Sequence, residues 1–119
     1  MNTWLWVGQI VLAVSFVLGG IMKLALDKDA LRGGMPWVDD LSASAVRGIG
    51  AVELAGGAGV VLPWATGIAT VLTPIAAVGL ALVMVGGFRT HLRRDEYARS
   101  LSNVVFFVVA VLVAVGRFA

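Results

Sequence analysis

Four long apolar runs constrain this chain more than anything else in it. They cover about residues 4–26, 45–62, 66–88 and 101–118, each roughly 18 to 23 residues long. At 1.5 Å of rise per residue, about that length is needed to cross a hydrocarbon core as a helix. The rest of the composition agrees. Only 13% of the 119 residues are charged, against about a quarter in a soluble domain. The expected fold is therefore all-α, a polytopic membrane protein built as one four-helix transmembrane bundle over residues 1–119. The first run is read as a mature helix and not a signal peptide, since MNTWLW carries no Lys or Arg and the run outlasts an h-region.

Charge sets the expected orientation. Even numbers of spans put both termini and the second loop on one side, and the first and third loops on the other. Lys23, Lys28, Arg32, Arg47, Arg89, Arg93, Arg94 and Arg99 fall on the loop side, leaving only Arg117 on the terminus side. The positive-inside rule then places the loops in the cytoplasm and both termini outside. Trp4, Trp6 and Trp64 read as an outer aromatic belt, Trp37 and Tyr97 as an inner one. The net charge of +2 follows from this topology and does not point to nucleic acid; the basic loops are at most an anionic-lipid patch.

Local signals refine the spans. The first loop contains Gly33-Gly34 and Met35-Pro36, then Asp40, Ser42 or Ser44 as an N-cap for the second span. Pro74, inside the third run, should free the Thr70 carbonyl and kink that helix. Ser100 or Ser102 should open the fourth. Gly48, Gly50, Gly56, Gly57 and Gly59 lie all round the second span, which is expected to be the most buried, because small residues let membrane helices approach closely.

Against that background Glu53 stands out, an acid in GIGAVELAGGAGVVLP. It lies about 12 Å into the membrane, too deep for a short side chain to reach water. An unpaired carboxylate there costs several kcal/mol or must take a proton. Lys23, closing LGGIMKL in the first span, is the base on another helix that can reach inward, and Ser15, Gly19 and Lys23 form a stripe at spacing four. Arg47 is about 120° from Glu53 round the same helix, so it is the weaker partner and otherwise an interfacial anchor. His91 follows the third run in GGFRTHLRRDE; it reads either as a solvated residue among arginines or, if the helix continues, as sharing a face with Thr70, Ala77, Met84 and Phe88. Lys23, Glu53, His91 and Arg47 together form the candidate polar binding cluster. A purely structural Lys23–Glu53 pair is the competing interpretation. Gln9 and Asn103 read as interhelical hydrogen-bonding residues.

LGGIMKL, the stretch from Gly50 through Gly87, and THLRRDE resemble the DoxX-like family of small four-helix membrane proteins. The matching positions are Gly20, Lys23 and Leu24; Glu53, Leu54 and Gly57; and His91. The resemblance implies an association with membrane oxidoreductases. Namesakes are linked to thiosulfate oxidation by quinone, other members to a membrane complex handling thiol and superoxide stress.

The residues narrow what that implies. Without cysteine the chain can cycle no disulfide and hold no thiolate metal site. One histidine gives no bis-histidine haem. A bound quinone, or a cofactor on a soluble or membrane oxidoreductase partner, would have to carry the electrons. The leading expectation is thus an accessory or quinone-proximal subunit, with a homo-oligomer also compatible. Three alternatives remain. One is a small-molecule transporter, although small multidrug transporters carry their acid in the first helix. Another is a membrane chaperone or scaffold docking through glycine-rich helices. The last is a lipid-modifying or isomerising enzyme with Glu53 and His91 as acid and base.

Overall fold

The computed structural model describes residues 2–118, and among these there is no strand. Helix α1 (Asn2–Ala25) is the first span. A cap follows, made of α2 (Lys28–Arg32) and a 3-10 helix (Pro36–Asp40). The second span is α3 (Ala43–Gly59) continued by α4 (Leu62–Thr66); the third is α5 (Leu72–Arg93) and the fourth α6 (Tyr97–Phe118). All four are long and apolar enough to cross a membrane. Apolar side chains such as Trp4, Leu82 and Leu112 cover the outside, as a lipid-facing surface requires.

The ends of these helices differ from the sequence expectation at three places, each for a local reason. The second span breaks at Val60–Val61, because Pro63 sits in the first turn of α4 and cannot donate back to Gly59. The third span starts at Leu72 and not near 66. Gly67 (φ 72°) and Ala69 (φ 50°) are left-handed, which ends one helix and delays the next. Pro74 therefore falls in the first turn of α5, with no helix before it to kink, and the Thr70 carbonyl accepts instead from the Thr73 amide at 3.1 Å. The fourth span starts at Tyr97, two residues after left-handed Asp95 (φ 57°). Ser100 and Ser102 lie within it, their hydroxyls donating to the carbonyls of Glu96 and Ala98. Of the candidate caps for α3, Ser42 is the one used, accepting from the Ala45 amide at 3.1 Å.

The bundle is assembled from two helix pairs, α1 with α3 and α5 with α6, joined by α3 against α5 and α1 against α6. In the first pair the backbones touch. A Cβ on Gly20 would lie 2.6 Å from the Gly50 carbonyl oxygen, one on Gly50 2.7 Å from Lys23 Cβ, and one on Gly57 2.9 Å from Val17 Cγ2. Only glycine fits these crossings. Leu12, Phe16, Val60, Ala77, Leu80 and Val113 fill the centre. The third span, not the glycine-rich second, is the most enclosed, with 33% against 28% of its apolar window buried. Gly48 has open space beside it, so part of the glycine face of α3 looks outward.

The first loop folds into a small cap. Leu31, Val38 and Val46 make a second core, with Met35, Trp37 and Leu41 packed on it. Asp27 caps α2 by accepting from the Ala30 amide, and Lys28 Nζ donates to the Leu41 carbonyl at 2.7 Å. Arg94, from beyond α5, grips Asp40 through two 3.0 Å hydrogen bonds. The cap is thereby fastened across the loop end of the bundle.

Candidate functional site

The glycine crossing of α1 and α3 delivers Lys23 and Glu53 to one another. Lys23 Nζ lies 2.6 Å from Glu53 Oε1, with both residues only 6% exposed. Gly19 contributes the space beside them: a Cβ there would sit 3.6 Å from Nζ and 3.7 Å from Glu53 Oε2. Above the pair Trp37 of the 3-10 helix stands with its ring 5.5 Å from Nζ, close enough for a cation–π attraction. The cap thus closes over the pair and shuts the ammonium in.

His91 is inside the end of α5, not in a solvated loop, because the helix runs through Gly86 and Gly87 to Arg93. Its side chain is 12% exposed. Ala77 and Met84 lie below it on the buried stripe at seven-residue spacing, whereas Thr70 and Phe88 point outward. Nδ1 is 3.0 Å from Glu96 Oε1, and Arg99 and Arg94 also approach that carboxylate at 3.2 and 3.5 Å. The His91 hydrogen bond, then the charge of Arg99, hold the Glu96 carboxyl below its ordinary value. Ionised Glu96 can only accept, so Nδ1 donates and Nε2 is left as the basic nitrogen. The His91 ring meets Trp37 edge-on at 6.4 Å.

Lys23, Glu53 and His91 line one cavity of about 420 Å³, whose walls are otherwise largely apolar, with Met35, Met84 and Trp37 among them. Arg47 is not part of it. Its side of α3 faces a separate space of about 50 Å³ beside Asp27 and Lys28, as the angle from Glu53 requires. Asn103 of α6 joins the cavity wall. Its amide packs on bare backbone, since a Gly87 Cβ would come 3.0 Å from Oδ1, and its buried Nδ2 has no hydrogen-bond partner among the described residues. The sequence reads Asn103 as an interhelical hydrogen-bonding residue, but its Nδ2 makes no such bond and the side chain packs beside Gly87 on the cavity wall instead.

A second buried polar cluster closes the terminus end. Arg117 Nε donates to Gln9 Oε1 at 2.8 Å and Nη1 to Asn2 Oδ1 at 2.7 Å, while Gln9 Nε2 donates to the Val60 carbonyl at 2.7 Å. The guanidinium lies 4.3 Å from the Trp64 ring and 5.7 Å from that of Trp6. Two of the expected belt tryptophans thus stack on a cation. In the sequence Arg117 reads only as an orientation marker; the signal of this tie is a lone arginine on a helix that ends at the level of Gln9 and Trp6.

The sequence model described as the DoxX-like family matches residues 7–113 of the chain. No curated protein and no solved structure matches it.

Proposed function

The chain belongs to that family, and on that premise we propose that it is a quinone-proximal membrane subunit serving a redox-linked partner. One observation carries the proposal: a mostly apolar cavity of about 420 Å³ with the Lys23–Glu53 ion pair and the imidazole of His91, itself bonded to Glu96, in its walls. Its size is in the range of small-molecule sites, roughly 300 to 1,000 Å³, and a few polar groups in an apolar lining suit a lipophilic carbonyl ring. Converting a quinone to its quinol takes two electrons and two protons. This chain has no cysteine to pass electrons, so these come from a flavin or metal cofactor on a cytoplasmic or membrane oxidoreductase. The Lys23 ammonium can donate to a ring oxygen and stabilise negative charge there. His91 can hand on a proton through its basic nitrogen, with Glu96 orienting the ring and stabilising the imidazolium. With the loops in the cytoplasm and the termini outside, the protons are drawn from the cytoplasmic face.

A short-tailed benzoquinone titrated into the protein in lipid nanodiscs tests this. The expected result is saturable quenching of tryptophan fluorescence that is lost in Trp37→Phe and weakened in His91→Ala. Quenching that rises linearly with quinone in the membrane, and is the same in both variants, would remove the proposal. Mild-detergent purification from the native membrane should also bring down a flavoprotein or a quinone.

A further inference from the structure

The cavity has polar groups on both helix pairs, and the function proposed above uses Lys23 from one and His91 from the other but not Asn103. Lys23 and Glu53 belong to the α1–α3 pair; Asn103 belongs to the α5–α6 pair across the bundle. Buried amides almost always find partners. Asn103 is 8% exposed and lines the cavity wall, but its Nδ2 is itself buried and has no partner among the described residues. The neighbouring residue is glycine, and any Cβ at Gly87 would press on the Asn103 amide at 3.0 to 3.2 Å. The site therefore accommodates this amide closely without satisfying it. Thr90, the hydroxyl-bearing wall residue on α5, donates to the Gly86 carbonyl at 3.0 Å and does not accept from the Asn103 amide.

We propose that Asn103 is a specificity-determining residue whose amide, turned about its last side-chain bond when the ligand enters, donates a hydrogen bond to a second oxygen of the ligand, opposite the one that faces Lys23. The inference rests on the quinone reading and sharpens it: the favoured ligand is a ring with acceptor oxygens on opposite edges, a para-dione. A lipid tail leaves the Asn103 amide unpaired. A mono-carbonyl ring satisfies one wall only. Sites built to bond a polar group reject analogues that lack it, because their own buried group is then left without a partner.

The test compares a short-tailed benzoquinone with a cyclohexenone bearing the same tail, in nanodiscs, for the wild type, Asn103→Leu and Asn103→Ala. Leucine keeps the branching and heavy-atom count of asparagine without its polar atoms; alanine covers the case in which the bulkier leucine does not fit. The wild type should prefer the dione by roughly tenfold, the ratio one hydrogen bond supports. Both variants should bind dione and mono-ketone alike, with thermal midpoints no lower for leucine than for the wild type. In the infrared difference spectrum one dione carbonyl band should move to higher wavenumber in the variants. A folded variant that keeps the wild-type preference overturns the assignment of Asn103 while leaving the quinone reading in place. A lowered midpoint with the preference kept makes Asn103 an interhelical bond. Absence of saturable dione binding by the wild type removes the quinone reading itself, and this inference with it.

Discussion

Removing one member of the Lys23–Glu53 pair should cost far more than removing both. At 2.6 Å and an effective dielectric of about 20, two unit charges attract by about 6 kcal/mol. Burying each ion costs several kcal/mol, so the intact pair contributes little net stability. Glu53→Ala removes the attraction and leaves the ammonium buried. In an open bundle Lys23 could extend to the interface, but here Trp37 and the cap lie over it and the residue is 6% exposed. The expected loss is about 3 to 5 kcal/mol, the usual cost of orphaning a buried charge. Lys23→Met should cost less, because Glu53 can take a proton and become neutral. The double variant Lys23→Met with Glu53→Gln should return to within about 1 kcal/mol of the wild type, or exceed it. Reversible unfolding in bicelles, followed for the four proteins as a double-mutant cycle, measures the coupling directly. A coupling below about 1 kcal/mol would mean that the charges are solvated, and the argument from depth would fail.

Two further perturbations have definite signs. Gly50→Ala places a Cβ 2.7 Å from Lys23 Cβ and 2.9 Å from the Gly20 carbonyl oxygen, so it should destabilise by about 1 to 3 kcal/mol through overpacking. Gly48→Ala, with open space around it, should stay within about 0.5 kcal/mol; equal effects in the same unfolding assay would contradict the close α1–α3 crossing. The Glu96 carboxyl is held below its ordinary 4.5, first by the His91 hydrogen bond. A lowered folded value gives stability that is complete above the ordinary value and is lost as the pH falls through the folded one. The thermal midpoint should therefore fall as the pH is lowered below about 4.5, and Glu96→Gln should flatten that decline. Matching pH profiles for the two proteins would show that Glu96 stabilises nothing.

What could be read beforehand, and what could not, separates along the range of the interactions involved. The spans and the ion pair were legible because lipid makes their alternatives expensive: an apolar run must be helical, and a deep carboxylate needs a partner. The cap was not. Its helical pieces are five residues each, too short to form on their own propensity. They depend on a cluster completed by Val46 and on Arg94, which is 54 positions from Asp40. His91 was half legible. Gly86-Gly87 reads as the end of a helix in water, but a lipid-embedded backbone has no other hydrogen-bond partner than its own helix, so α5 continues and carries His91 onto the inner stripe. Pro74 was misplaced because nothing in the identity of Ala69 announces a left-handed residue.

The bundle buries one cation at each end, and their surroundings differ in a way that separates chemistry from fastening. Arg117 is held by neutral oxygens from Gln9 and Asn2 and by the faces of Trp64 and Trp6. These partners have no proton to exchange near neutral pH. They join the end of α6 to α1 and α4, and Gln9 extends the link to the Val60 carbonyl; the result is a fixed tie. Lys23 instead meets a carboxylate, and the cavity beside it reaches His91, whose own partner is a second carboxylate. Glutamate and histidine change charge at accessible pH when their surroundings shift, and an arginine does not. On the quinone reading proposed above, the site that accepts the ligand and moves protons is therefore the one at the loop end. The terminus end has the groups needed to hold the helices together while it does so.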